Sequence, residues 1–202
     1  MCRLSEPAVH LELIPVFDFA RVWPDGLSYA AFLEKFATAE QRRRWDAVHE
    51  QVRLTPAQID LLRSFRRQML VPIVAGAWCG DCIQQCPILD HFAEANDRIE
   101  IRYFDRDEYP DLADAVSLCG GRRVPTVVFL SEEMKFCGLL GDRTLAKYRD
   151  LVASLDGAAC PTGLAGPPPD LQAAVVQDWL NEFERVQGML RTSPRLRQKH
   201  GD

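Results

Sequence analysis

Apolar residues recur at helical spacing over the first third of the chain, then give way to short strand-like runs. Residues 28–37 (YAAFLEKFAT) set Ala31, Phe32, Lys35 and Phe36 around one pair of helical turns. Thr38-Ala39-Glu40-Gln41 has capping-box form, Thr answered three residues later by Gln, and predicts a charged helix to about Val52 with Trp45, Val48 and Val52 on one stripe. Thr55-Pro56-Ala57-Gln58 repeats the signature with Pro at the first helical position. Ile59, Leu62, Phe65 and Met69 continue it as an apolar stripe. From residue 71 the period changes. VPIVAGA is a Val/Ile-rich run of the kind buried on both faces of a sheet.

A helix is expected over about 80–95, with Ile83, Leu89, Phe92 and Ala93 in the core. Residues 99–104 (IEIRYF) alternate as a strand, and a helix over about 111–119 is ended by Gly120-Gly121. Residues 124–130 (VPTVVFL) and 135–140 read as two strands joined by a tight link at Ser131-Glu132-Glu133, with Asp142 placed to cap a helix reaching about Leu155. Four Pro and three Gly between Gly157 and Pro169 mark a linker. A last helix over about 170–190 carries Leu171, Val175, Trp179, Phe183 and Val186. Residues 1–27 show little period, and no internal repeat is present. The expected division is an N-terminal helical extension (1–69), a β-α-β-α-β-β-α unit (70–156), the linker (157–169), and a C-terminal helix and tail (170–202).

At 202 residues the chain is long enough to bury a sizeable core, and its 47% hydrophobic and 26% charged residues exclude disorder and collagen-like repeats. The net charge of -5 argues against a nucleic-acid partner. The run Arg42-Arg43-Arg44, with Arg63, Arg66 and Arg67, is interleaved with Glu40, Asp46, Glu50 and Asp60 and reads as a solvated face. Glu12 and Asp18 interrupt Leu11–Ala20, so no signal segment is expected, and no stretch reaches the roughly 20 apolar residues of a membrane helix. A cytoplasmic location is the default expectation, with no membrane partner. Thiols are kept reduced there, so the seven cysteines are expected to be reactive, metal-binding or buried rather than structural disulfides.

The chemistry concentrates in Trp78-Cys79-Gly80-Asp81-Cys82, at the junction of a buried strand and a helix. The free N–H groups and positive dipole end of a helix N-terminus stabilise a thiolate, the nucleophilic form of cysteine. C-x-x-C spacing holds a second thiol one turn away, where it can resolve a mixed disulfide.

In these residues the chain resembles the thioredoxin family. Trp78 precedes the first Cys, Pro87 stands eight residues after Cys79, and Val124-Pro125-Thr126 follows at 46 residues. The resemblance covers about residues 70–156, and the run WCGDCIQQCP...FDRDEYP...GGRRVPT looks like a bacterial thioredoxin-like subfamily with helical extensions. It implies an α/β, thioredoxin-like fold: a central mixed β-sheet flanked by helices, extended by helices at both ends. It implies that Cys79 is the exposed attacking thiolate and Cys82 the partly buried resolving thiol. Pro125 would hold a cis bond facing the sulfurs, with no N–H to compete for them. The Val124 backbone would pair with an extended substrate segment, Gly80 and Thr126 would line the same site, and Trp78 would form an apolar rim.

Two departures stand out. The family's buried acid, six residues before the first Cys, is here Ile73. Asp81 replaces the usual Pro inside the motif. Two roles are open for Asp81: a local base for Cys82, or a charge that raises the pKa of Cys79. Arg122 and Arg123 precede Val124-Pro125-Thr126, either near the sulfurs, receptive to an acidic partner, or in a solvated turn.

Other readings weigh less. Cys79, Cys82 and Cys86-Pro87 follow the tail of a bacterial ferredoxin run, whose first Cys falls at Gly76. A zinc site lacks a fourth ligand, with His91 near in sequence. Cys86 shares a helix face with Cys82 and is either a third redox thiol or, preferably, a core residue. The four histidines are scattered and make no triad with Cys79. The expected function is thiol–disulfide oxidoreduction of disulfide-containing proteins through Cys79 and Cys82, with no metal or organic cofactor and an upstream dithiol reductant. The alternative is a protein-binding adaptor of the same fold with redox-sensitive, non-catalytic cysteines. Oligomeric state is left open.

Overall fold

The computed structural model describes residues 17–154 and 169–202. The N-terminal residues 1–16 and the expected linker, apart from Pro169, lie outside this set. The sheet is built on β1 (Met69–Ala75), buried at every position. β1 pairs parallel with β2 (Ile99–Asp105) and antiparallel with β3 (Thr126–Ser131), and β3 pairs antiparallel with β4 (Phe136–Gly141). The order is β2-β1-β3-β4. The β3–β4 hairpin turns at Ser131–Lys135, as expected. The β1–β3 register holds on both sides of a gap at Val71-Pro72, where Pro72 has no N–H to donate.

Before the sheet come a short helix α1 (Phe19–Val22) with a 3-10 turn over Trp23–Asp25, then α2 (Tyr29–Phe36), α3 (Ala39–Gln51) and α4 (Pro56–Arg63). Both expected capping boxes form, Thr38 with Gln41 and Thr55 with Gln58. α5 (Gly80–Ala95) contains Pro87 and follows β1, and α6 (Pro110–Ala115) follows β2. α7 (Leu145–Ser154), α8 (Pro169–Thr192) and α9 (Pro194–His200) complete the described residues.

One hydrophobic core joins these parts. It runs from Phe32 and Trp45 of the early helices, through Ile73, Val127 and Phe129 of the sheet, to Trp179 and Phe183 of α8. α5 is the pivot, packing against β2, α3, α4 and α8. The helices at both ends of the chain therefore share the core of the sheet. The fold is α/β and thioredoxin-like, a mixed sheet flanked by helices.

Several boundaries differ from the sequence reading. α4 stops at Arg63, so Phe65 lies in a turn and Met69 already belongs to β1. Distant side chains hold that turn: Asn96 Nδ2 donates to the carbonyls of Leu62 and Phe65, and Gln187 Oε1 accepts the amides of Arg66 and Arg67. α6 ends four residues early, and Leu118 and Gly121 then pair as an isolated bridge. α7 begins at Leu145 because the Asp142 carboxylate, expected to cap it, is taken by Arg123, Arg143 and Tyr148. α1 and α9 had no expected counterpart.

Candidate redox active site

Cys79 is the residue that opens α5. Its amide donates to the carbonyl of Gly76, and its own carbonyl accepts the amide of Ile83 as the first helical bond. The Cys79 thiol donates to the carbonyl of Val124 across 3.4 Å. The next peptide, Val124–Pro125, is cis. Cys82 lies one turn into the helix with no exposure, and Cys79 is only 9% exposed. The expectation of an exposed Cys79 is corrected: the Val124-Pro125 segment lies over its sulfur.

Trp78, 48% exposed, forms the rim. Gly76 allows this placement, because a Cβ there would fall 2.7 Å from the Trp78 ring. The Arg106 guanidinium lies over the Trp78 ring, 4.4 Å from its centroid. A Cβ on Gly80 would meet nothing within 4 Å, so the first residue of α5 is open to solvent-side space.

Both thiols are held above the ordinary thiol pKa. For Cys79 the cause is first its hydrogen bond with Cys82, then burial, opposed by the backbone N–H of Cys82 at the helix start. For Cys82 the cause is complete burial, and charge on Cys86 adds to it. Cys86 is itself fully buried, and its carbonyl accepts from the Tyr103 hydroxyl. Ile73, in the place of the family's acid, is fully buried in β1.

Asp81 finds a partner the sequence did not indicate. Arg143 Nε donates to Oδ1 across 3.2 Å, and Nη2 lies 2.6 Å from Oδ2. The carboxylate is thus tied to Arg143 rather than turned to Cys82. Burial pushes the Asp81 pKa up, and Arg143 opposes that push. Arg143 also donates to Asp142 Oδ2 across 3.0 Å, and Asp142 accepts from the Tyr148 hydroxyl as well. Burial would raise Asp142, yet the Tyr148 hydrogen bond and the charges of Arg143 and Arg123 hold it below the usual carboxylate range.

The second loop of the site is equally tied down. Thr126, buried, donates its hydroxyl to the Arg123 carbonyl across 2.6 Å. Gly141 presses against it from β4: a Cβ there would fall 2.5 Å from the Pro125 oxygen. The Gly141–Asp142 peptide is also cis. Arg123 reaches Asp142 at 3.4 Å and keeps 41% of its side chain exposed, while Arg122 turns away to pair with Asp114. The structure therefore brings Trp78, Cys79, Gly80, Asp81, Cys82, Arg123, Val124, Pro125 and Thr126 to one place.

Two tryptophans that the sequence reading used only for packing also reach the site, one of them through Gln85. Trp45 Nε1 on α3 donates to the Ala77 carbonyl across 2.9 Å. Gln85 Nε2 donates to the Asp142 carbonyl across 2.8 Å, and its Oε1 accepts from Trp179 Nε1 on α8 at 3.0 Å. A lone Trp within a charged helix and a Trp in the last helix were the only traces of these roles in the sequence.

A thioredoxin family model matches residues 26–155, more than half of the chain and beginning before α2. No curated protein matches. Among solved structures, a protein of unknown function from Pseudomonas aeruginosa is 20% identical, with a TM-score of 0.64 over 84% of this chain and 96% of that one. An HIV epitope-scaffold is 21% identical, with a TM-score of 0.58 over 86% and 95% of the two chains. Mitochondrial thioredoxin 3 from Saccharomyces cerevisiae, in its oxidised form, is 22% identical over 54% and 99%, with a TM-score of 0.33. Matches over more than four-fifths of the chain extend past the sheet unit, so the first two share the flanking helices as well as the sheet. By its family model and its fold, this chain belongs to the thioredoxin family.

Proposed function

We propose that the protein is a thiol–disulfide oxidoreductase acting on protein disulfides through Cys79 and Cys82. The observation that carries this reading is the position of Cys79: it opens α5, with the Cys82 thiol one turn inside and Val124-Pro125 across its sulfur. The Cys79 thiolate attacks one sulfur of a target disulfide. A mixed disulfide forms, and the other target sulfur leaves as a thiolate that takes up a proton. The Cys82 thiolate then attacks the sulfur of Cys79. The second target thiol is released, and a Cys79–Cys82 disulfide holds the two oxidising equivalents taken from the target. An upstream dithiol returns it to the reduced form.

Each neighbour has a role in this scheme. Burial of Cys82 keeps it a thiol until the mixed disulfide forms next to it. The Cys82 backbone N–H stabilises charge on Cys79. Trp78 offers an apolar rim, and Arg123, with its exposed guanidinium, faces incoming acidic groups. Arg143 neutralises the Asp81 carboxylate that would otherwise oppose a thiolate at Cys79.

Cys82→Ser tests the mechanism and the substrates together. It is expected to accumulate mixed disulfides with target proteins from a lysate, resolved by a dithiol and absent in Cys79→Ser. Wild type is expected to reduce a protein disulfide at the expense of dithiothreitol, and Cys79→Ser is not. Partner complexes that form equally well without Cys79, with no turnover by wild type, would instead make the protein an adaptor.

A further inference from the structure

His49 and His91 are distant in sequence, on α3 and α5, yet their rings stack with centroids 4.1 Å apart. Glu94, almost one turn beyond His91, brings Oε2 to 3.1 Å from His91 Nδ1. One ligating atom from each of His49, His91 and Glu94 lies within 4.8 Å of the other two. We propose that these three side chains form a binding site for a divalent transition-metal ion of the zinc type, joining α3 to the far half of α5.

The donor set is two imidazoles and one carboxylate, the set zinc takes when it keeps a further position for water. With bonds of about 2.0–2.2 Å, two ligands of a tetrahedral ion stand roughly 3.3–3.5 Å apart. The His91–Glu94 separation of 3.1 Å is already near this, and His49, with a ligating atom within 4.8 Å, joins them once its ring turns out of the stack on His91.

The surrounding hydrogen bonds prepare the ligands. His91 Nε2 lies 3.0 Å from the carbonyl oxygen of His49. Donation there places a proton on Nε2 and leaves Nδ1, the nitrogen that faces Glu94, to hold either a second proton or a metal ion. Nδ1 and the carboxylate oxygen at 3.1 Å are held together by whichever cation stands between them, a proton or a metal ion. Asp90 Oδ2 lies 3.1 Å from His49 Nε2 and orients the second ring. Carbonyl and carboxylate partners of this kind hold ligating histidines in register with a metal. Both histidine side chains are 25% exposed, so an ion can enter from solvent.

His91 stands twelve residues after Cys79 along the chain, about 18 Å away at 1.5 Å per residue along α5. The site is therefore separate from the thiol pair and independent of its chemistry. Its effect would be mechanical, clamping the early helices onto α5.

Isothermal titration of zinc into the full-length protein, its accessible thiols blocked with iodoacetamide, tests the site. Wild type is expected to take up one zinc per chain and to melt at a higher temperature with zinc present. His91→Gln, folded by circular dichroism, is expected to take up none and to show no shift. Asp90→Asn is expected to bind about 10–100-fold more weakly, the effect of losing a partner that orients a ligand. Should His91→Gln fail to fold, Glu94→Gln makes the same comparison at a side chain 59% exposed. No uptake by wild type would overturn the proposal and leave His91 and Glu94 a proton-bridged ion pair. Equal uptake by wild type and both ligand variants would overturn it too, as would uptake lost only on replacing Cys79 and Cys82.

Discussion

Trp45 Nε1 donates a 2.9 Å hydrogen bond to the Ala77 carbonyl, two residues before Cys79. The donor comes from α3, well before the sheet begins, and the acceptor from the loop that carries the cysteines. Trp179 of α8 makes the matching contact from the other end of the chain, through Gln85 to the carbonyl of Asp142. Helices that come before and after the sheet in the chain thus hold the cysteine loop and the Asp142 turn beside it.

Trp45→Phe keeps the buried ring but removes the donor. The Ala77 carbonyl is left unpaired inside the protein, which costs about 1–3 kcal/mol. Urea unfolding is expected to report that loss. Iodoacetamide is expected to modify Cys79 faster, because the loop before it is less restrained. Unchanged stability and unchanged alkylation would mean that Trp45 only fills space.

Asp81 and Arg143 make opposite predictions for one measurement. The Asp81 charge raises the Cys79 pKa, so Asp81→Asn is expected to move Cys79 alkylation to lower pH. Arg143→Gln leaves that charge uncompensated and is expected to move the profile to higher pH. A shift of the same sign in both variants contradicts the ion-pair account.

Asp142 has a folded-state pKa below its unfolded value. Its contribution to stability is therefore fully present above the unfolded carboxylate pKa of about 3.9 and is lost as pH falls through the lower folded value. Asp142→Asn is expected to lower stability at neutral pH and to flatten the acid limb of a plot of stability against pH. An acid limb as steep as that of wild type would assign the loss to other carboxylates.

Gly141 and Gly80 form a contrasting pair. A Cβ at Gly141 would meet the Pro125 oxygen at 2.5 Å and Thr126 Cα at 2.9 Å, both backbone atoms. Gly141→Ala is expected to cost about 1–3 kcal/mol by overpacking and to slow disulfide reduction by displacing Pro125. Gly80→Ala, with nothing near its Cβ, is expected to keep stability within about 1 kcal/mol of wild type. Equal effects of the two substitutions on stability would contradict the observed packing.

Much of the fold was legible because its signals are local. The capping boxes at Thr38 and Thr55, the Val/Ile run of β1, and the helix opening at Gly80 need only neighbours within a few residues. The places where the reading failed have long-range causes. α4 ends where Asn96 and Gln187 cap the turn after it, and neither residue can be paired with that turn by periodicity. Asp142 reads as a helix cap from its sequence and becomes the acceptor of Arg123, Arg143 and Tyr148 only once β4 delivers it beside the site.

The family resemblance, not the residue pattern, pointed to the Pro125 segment; sequence alone determined most of the order of strands and helices and the cysteine pair at a helix start. Those features rest on spacing, caps and side-chain period, which act over a few residues. Tertiary structure decided that Cys79 is covered, that Asp81 binds Arg143, that Trp45 reaches Ala77 and Trp179 reaches Gln85, and that His49 meets His91. Each of these joins residues 32 to 94 positions apart. Only the packing of helices and sheet around one core brings such residues together.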